Sequence, residues 1–531
     1  MSFEVKYTDL AARIGTLDTP HGILETPAFV PVVHPVSQAI SPQYLKSIGF
    51  HVVITNAYIT LRHYGDEAKK KGIHNIIDFD GIVMTDSGGY QVLEYGAIGY
   101  EPLVIAQFEK DIKSDISVPL DKPTGFGLAY GKAKEYVDQT INNAKKTLDI
   151  VVGAEGQKKD TMGNKNGDTN PLWVGPIQGG EHLDLIRFSA KALDEMGFNF
   201  FALGSPVELM ERYEFSILAQ MIITAKRTIP TKPMHLFGAG HPLTIPLAVA
   251  LGCDTFDSAS YILYAKDNRY MHQNGTFRIE EMSYFPCQCS ICTTYTVHEL
   301  SQLDPYRRTV EIAKHNLNVL RAEISTVKQA IMDGRLWEYI VQKARSHPKL
   351  MEAIETIMDF EILEENTSMF KQRAIFLYDP IDQHRPEVKR FKKMISEFQS
   401  KNKEKLILYP ESHIHPFYYS KDYYQIIRKF ANSQVCTYNP FLGVIPVEIC
   451  DIFPSAHNLI SKSMSHYDTN DYPTFIQSLE RFLTINHFEE IIIIADHFMS
   501  KVIECSNVIN KTLRKLNAKI YIYKDDIVLQ L

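Results

Sequence analysis

Val83-Met84-Thr85-Asp86-Ser87-Gly88-Gly89-Tyr90-Gln91 carries an apolar run into an acid, a hydroxyl, two glycines and an aromatic. The run from Ile82 to Met84 reads as a short buried strand. Glycines just past its end let backbone approach a bound molecule where a β-carbon would clash. Asp86 then stands at the strand's C-terminal tip. Taken alone, Asp-Ser-Gly-Gly fits ordinary turn chemistry after a strand equally well.

Around this stretch, residues from Phe29 to Asp257 alternate short apolar runs with longer amphipathic segments. The runs are Phe29 to Val33, His51 to Ile54, Ile82 to Thr85, Ile116 to Val118, Leu172 to Ile177, Phe200 to Leu203, Met234 to Phe237 and Thr255 to Asp257. Helical patterns lie between them at Ser41 to Ile48, Leu103 to Ile112, Tyr130 to Leu148, Leu183 to Met196 and Val207 to Thr228. Eight such units predict an α/β fold, a (β/α)8 TIM barrel. The residues just past the runs are polar: Thr55 and Asn56, Asp86 and Ser87, Asp121, Gln178 with Gly179 and Gly180, Gly204 and Ser205, Gly238 to His241, and Asp257. A barrel gathers all of these at the face where active sites of this fold lie. The polar, glycine-rich stretch Ala154 to Pro171 reads as a loop beside that rim.

At 531 residues the chain exceeds one core, so two or more domains are expected. With 45% hydrophobic and 22% charged residues it has the make-up of a globular protein. A net charge of -7 gives no global attraction to nucleic acid, although a local basic face can coexist with it. The start, Met1-Ser2-Phe3-Glu4-Val5-Lys6, has no signal pattern. Apolar stretches fall short of the roughly 18 residues that span a bilayer. The expectation is a cytoplasmic protein with no membrane partner.

Seven cysteines include three close together, Cys287, Cys289 and Cys292, which argues for metal over disulfides. Cys253, Cys436, Cys450 and Cys505 lie in apolar surroundings and read as small buried hydrophobes. His315, on the helical pattern Pro305 to Ile324, completes a Cys3His set of the kind that closes around one structural zinc ion. His298 and His272 compete for that fourth place. Such a site fastens an insertion after the last barrel strand to the next helix. The expected domains are a catalytic barrel over 1–330 with a zinc subdomain at about 278–325, a helical connector over 331–373, and a smaller C-terminal α/β domain over 374–531. In that last part strands are expected at Ala374 to Tyr378, Leu406 to Tyr409, Ile491 to Ala495 and Ile520 to Tyr523. The basic run Lys389, Arg390, Lys392, Lys393, Lys401, Lys403 and Lys405 fits either an RNA-facing surface or a solvated helix.

Two aspartates at strand ends, Asp86 and Asp257, suit displacement at a sugar carbon through a covalent intermediate, one attacking and the other handling the leaving group's proton. Asp121 and Gln178 supply the acceptor and the mixed donor-acceptor that reading a purine edge requires, and Tyr90 could stack on the ring. Each also has an ordinary alternative as a barrel-lining residue.

Thr85 to Gln91, Leu120-Asp121-Lys122-Pro123-Thr124, Ile177-Gln178-Gly179-Gly180, His235 to His241 and Phe256-Asp257-Ser258-Ala259-Ser260 together resemble the tRNA-guanine transglycosylases, as does the cysteine spacing. The archaeal branch, the 7-cyano-7-deazaguanine tRNA-ribosyltransferases of the archaeosine pathway, fits best. The resemblance covers residues 3 to about 330, and more weakly 374 to 531. It implies ATP-independent base exchange at a D-arm guanosine, position fifteen of tRNA, with 7-cyano-7-deazaguanine incoming. Asp257 would be the nucleophile and Asp86 the general acid/base. Ser87, Tyr90, Asp121, Gln178 and Gly204 would hold the base. A homodimer is the expected assembly. Two features depart from the family pattern: Gly204-Ser205-Pro206 stands where many relatives carry two glycines, and no PUA-type RNA-binding module is evident, which a separate PUA-type protein could supply. The alternatives are a non-catalytic or partner-dependent subunit of such an enzyme, or a relative acting on DNA.

Overall fold

The computed structural model describes residues 3–89, 100–149, 170–401, 404–411, 414–430, 432–460, 473–505, 509, 511, 513, 514 and 518–522. The chain divides into two compact units, Met1–Ile362 and Leu363–Leu531.

The first unit begins with an antiparallel sheet of β1 (Phe3–Asp9), β2 (Ala12–Thr19) and β3 (Gly22–Thr26), which the hydrophobic pattern did not announce. Eight strands follow: β4 (Ala28–Pro31), β5 (Val52–Asn56), β6 (Ile82–Asp86), β7 (Ile116–Ser117), β8 (Leu172–Ile177), β9 (Phe200–Leu203), β10 (Met234–Leu236) and β11 (Thr255–Ser258). They form one sheet in the order 4-11-10-9-8-7-6-5 with parallel neighbours. A parallel bridge between Val32 and Ile54 closes it into the expected barrel. Alternate residues fill the interior, because strand side chains have a period of two. Ala28 and Val30, Val52 and Ile54, Ile82 and Met84, Ile116 and Val118, and Phe200 and Ala202 belong to one buried cluster. Leu17 and Leu24 of β2 and β3 join it. Asp86 continues the parity of Ile82 and Met84, so its carboxylate follows the apolar stack into the opposite mouth.

Two polar latches hold the N-terminal ends of the strands. Arg13 donates to both oxygens of Asp254, at 3.1 and 2.5 Å, and to the Thr231 and Lys232 carbonyls. Buried Asp115 takes up His21 Nδ1 at 2.6 Å, His74 Nε2 at 3.0 Å, and the backbone N–H groups of His21 and Val83. Polar order at this end of a barrel serves stability.

The helical pattern Val207 to Thr228 breaks into two helices, Val207–Glu211 and Phe215–Thr228. Tyr213 adopts φ 59°, a left-handed conformation that a continuing helix does not tolerate. After the barrel come β12 (Arg269–His272), β13 (Gly275–Arg278) and a 29-residue helix, Pro305–Asp333, which starts on an Asp304 cap and ends at Gly334 with φ 66°.

In the second unit β14 (Ile375–Leu377), β15 (Lys405–Pro410), β16 (Ser433–Asn439), β17 (Gly443–Pro446), β18 (Asn458–Ile460), β19 (Glu490–Ala495) and β20 (Lys519–Ile522) make two sheets. The larger has the order 17-16-15-19-20, and β14 pairs with β18 apart from it. β16, β17 and β18 lie outside the sequence expectation. Gln434, Thr437 and Asn439 interrupt the apolar character of β16, yet all are buried, because tertiary hydrogen bonds satisfy Gln434 and Asn439.

Candidate active site

The mouth at the strands' C-terminal ends collects Asp86, Asp121, Gln178, Gly204 and Asp257, as the sequence pattern expects. Tyr90 lies outside the described residues, as does most of the polar stretch Ala154 to Pro171.

Asp86 accepts a hydrogen bond from Asn56 Nδ2 at 3.1 Å. The same Asn56 caps the helix Ala57–Tyr64 through its Oδ1, so its amide cannot turn away. Burial, with the neighbouring Asp121 and Asp257 carboxylates, pushes the Asp86 carboxyl up to about 7. The Gly88 backbone and the Asn56 side chain oppose that rise by favouring the charged form. A carboxyl that ionises near neutrality can both donate and accept a proton there. Behind it, Thr85 faces outward and donates to buried Glu109 at 2.8 Å; burial keeps Glu109 well above the usual carboxylate range.

Asp257 is held at one oxygen. His235 Nε2 lies 3.0 Å from Oδ1, and the Gly238 N–H donates to the same atom at 2.9 Å. No hydrogen bond among the described residues engages Oδ2. A carboxylate so fixed presents one oxygen for attack without first losing a partner.

Asp121 and Gln178 form a third element. Gln178 Nε2 donates to Asp121 Oδ2 at 2.5 Å. Burial pushes the Asp121 carboxyl up to about 6, with the Gln178 hydrogen bond opposing. A β-carbon at Gly89 would collide with Asp121 Oδ1, and one at Gly204 with the Gln178 amide. Both glycines are therefore required by close approach. Ser87 is fully buried, and its hydroxyl has no partner among the described residues. A buried hydroxyl without a partner is costly unless a ligand supplies one.

After the last barrel strand, Cys287, Cys289, Cys292 and His315 converge. The Cys289 and Cys292 sulfurs are 3.6 Å apart, and each is 3.4 Å from His315 Nδ1. Bonds of about 2.0–2.3 Å at tetrahedral angles give edges of roughly this length, so the four residues fit one metal ion. His315 Nε2 meets the Met271 carbonyl at 2.8 Å, which leaves Nδ1 for the ion, and Tyr270 stacks on its ring at 3.7 Å. His272, a competitor for the fourth place, is not in this group, and neither is His298.

A family model described as queuine tRNA-ribosyltransferase matches residues 9–349. Another, described as a domain of unknown function, matches 388–523. The chain is 39% identical over 497 residues to a tRNA-guanine(15) transglycosylase of Sulfolobus acidocaldarius, covering 93% of this chain and 95% of that one. It is 40% identical over 501 residues to the protein of the same name from Saccharolobus solfataricus, covering 92% and 96%. The corresponding Methanocaldococcus jannaschii protein is 37% identical over 470 residues, 87% of this chain and 68% of its own. The chain belongs to the tRNA-guanine transglycosylase family.

This transglycosylase is thus an enzyme of the pentosyl-transferring class, and no helix among its described residues is long and apolar enough to cross a membrane. Two residues at the site were not singled out by sequence reasoning. Asn56 was visible only as one polar strand end among several. His235 stood inside a quoted motif without a role; its signal was a histidine in the otherwise apolar run Met234 to Phe237, where it is fully buried. Parts of the basic run make contacts within the protein. Arg390 binds the Thr367 and Ser368 carbonyls, and Lys405 pairs with Glu490.

Proposed function

We propose that the enzyme exchanges the guanine at position fifteen of tRNA for 7-cyano-7-deazaguanine, the tRNA step toward archaeosine, through a covalent Asp257-ribosyl intermediate. The observation that carries this reading is the asymmetric hold on Asp257 beside the neutral-range Asp86. Asp257 Oδ2 attacks C1′ of the nucleotide as the C1′–N9 bond breaks. Protonated Asp86 delivers its proton to the departing guanine. The resulting Asp86 carboxylate then takes the ring N–H proton of the incoming base, whose nitrogen attacks C1′ and displaces Asp257. Two inversions retain the sugar configuration, the phosphodiester chain stays intact, and no nucleotide triphosphate is consumed.

The guanine edge presents two donors, N2–H and N1–H, followed by the acceptor O6. Asp121 supplies the acceptor, and the Gln178 NH2 the donor beside it. Ser87 and the Gly204 backbone complete the contacts, with Tyr90 as the stacking partner. The names of the relatives, tRNA-guanine(15) transglycosylases, support position fifteen. Three thiolates and an imidazole suit zinc. With four protein ligands it would have no open position and a purely structural task. A homodimer, with or without a separate PUA-type protein, would supply further tRNA contacts, and the cytoplasm is where its substrate resides.

The test is incorporation of labelled guanine into unmodified tRNA, with 7-cyano-7-deazaguanine as competitor and Asp257→Ala as control. Incorporation that needs Asp257 and yields to the competitor is expected. Exchange that survives in Asp257→Ala, or a preference for DNA, overturns the reading.

A further inference from the structure

Ser205 follows β9 in the segment Gly204-Ser205-Pro206, and its backbone has φ 62°. Glycine adopts that conformation freely, and a serine there is strained. The side chain explains what the strain sustains. Ser205 Oγ accepts the backbone N–H groups of Thr124 and Gly125, at 3.0 and 3.1 Å, and donates to Gln178 Oε1 at 2.9 Å. Thr124 adds its own hydroxyl to Oε1 at 3.0 Å and its N–H at 3.2 Å.

Gln178 Oε1 is therefore surrounded by three donors, while the Nε2 side faces the Asp121 carboxylate. This assigns the amide: oxygen toward Ser205 and Thr124, nitrogen toward Asp121 and the pocket. A flipped amide would face donors with its NH2 and a carboxylate with its oxygen. The orientation decides what the pocket offers a purine at position 6. An NH2 donates to a 6-oxo group, whereas an amide oxygen would accept from a 6-amino group.

We infer that Ser205 is a specificity-determining positioning residue, whose hydroxyl locks the Gln178 amide so that the pocket takes 6-oxopurines and rejects 6-aminopurines. This rests on the base-exchange reading above. Ser205 need not touch the base; it acts through Gln178. Asp121 secures the other end of the same amide, so loss of Ser205 loosens the lock without abolishing it.

The experiment uses the full-length, metal-loaded protein and labelled-guanine exchange into tRNA, with 2,6-diaminopurine as competitor. Ser205→Gly removes the hydroxyl while relieving the backbone, so a merely structural role predicts no loss of function. The expected result is a guanine KM about five- to tenfold higher, kcat within about twofold, and a guanine-over-diaminopurine preference narrowed about fivefold. The melting temperature should stay within about 3 °C of wild type. Ser205→Ala, which keeps the strain and loses the hydroxyl, should shift KM and preference in the same direction. Unchanged KM and preference in both variants overturn the role of Ser205 while leaving base exchange standing. A parallel fall of kcat and melting temperature, without a change in preference, also overturns it. A folded wild-type enzyme that exchanges no guanine sinks the base-exchange reading, and this inference with it.

Discussion

His235 Nε2 lies 3.0 Å from Asp257 Oδ1, and its Nδ1 lies 2.9 Å from Thr255 Oγ1, so one buried ring spans two side chains of the neighbouring strand. With Nε2 donating to the carboxylate, Nδ1 accepts from the threonine hydroxyl, and the tautomer is set. Oδ1 is occupied, and Oδ2 is the oxygen that the proposed mechanism uses. His235→Gln, which can still donate to Oδ1, should keep most activity. His235→Ala should lower kcat about 10- to 100-fold with the guanine KM little changed, because a misaimed nucleophile costs on that scale. Steady-state exchange kinetics check this. An alanine variant with wild-type kcat would remove the orienting role.

Asp86 makes the enzyme's stability depend on pH. Burial and the Asp121 and Asp257 charges raise its carboxyl from the ordinary range, near 3.8, to about 7. Between those values the folded state binds more protons than the unfolded one, so stability falls as pH rises. The contribution is fully present below the unfolded value and lost as pH passes through the folded one. The stability advantage of Asp86→Asn over wild type should be roughly 1–3 kcal/mol larger at pH 8 than at pH 5, while exchange activity is lost. Chemical denaturation at the two pH values decides it; an equal difference at both would discredit the raised carboxyl.

Gly89→Ala places a β-carbon against Asp121 Oδ1. The Asp121 carboxylate must then move from the position where Gln178 meets it. The guanine KM should rise about tenfold or more, with far less effect on melting temperature, since the displaced group lines the mouth and not the packed core. A variant with unchanged KM would show that the carboxylate's position is immaterial to base binding.

Metal removal tests the cysteine cluster. The His315 helix is tied to β12 through Met271, and Asn316 beside it bonds the Met271 N–H and the Tyr261 and Arg269 carbonyls. Loss of an ion held by these four residues would remove the link between the cysteine segment and this helix, leaving packing such as that of buried Ile291 and Leu300 to hold it. Chelation should release about one zinc per chain and lower the melting temperature by roughly 5–15 °C, with Cys289→Ser behaving alike. An equally stable but inactive metal-free protein would point to a chemical role instead.

The barrel was legible in the sequence because its signal is local. Buried parallel strands are short apolar runs, crossover helices have a period near 3.6, and polar residues stand where each run stops. The same locality made Asp86, Asp121, Gln178 and Asp257 candidates, and the close cysteine spacing pointed to metal. Strand β16 was not legible, since its buried polar side chains are satisfied by distant partners, and no local pattern marked the left-handed turn at Tyr213.

By itself, then, the sequence determined the order of the eight barrel strands and which residue types stand at the mouth, because periodicity and turn chemistry act over a few neighbours. Only the tertiary structure decided how those residues are used. That Asn56 restrains Asp86, His235 claims one oxygen of Asp257 and Ser205 orients Gln178 depends on atoms brought together from different strands. The physical reason is that a hydrogen bond's partner and a carboxyl's proton affinity are set by the three-dimensional surroundings, which no stretch of chain contains alone.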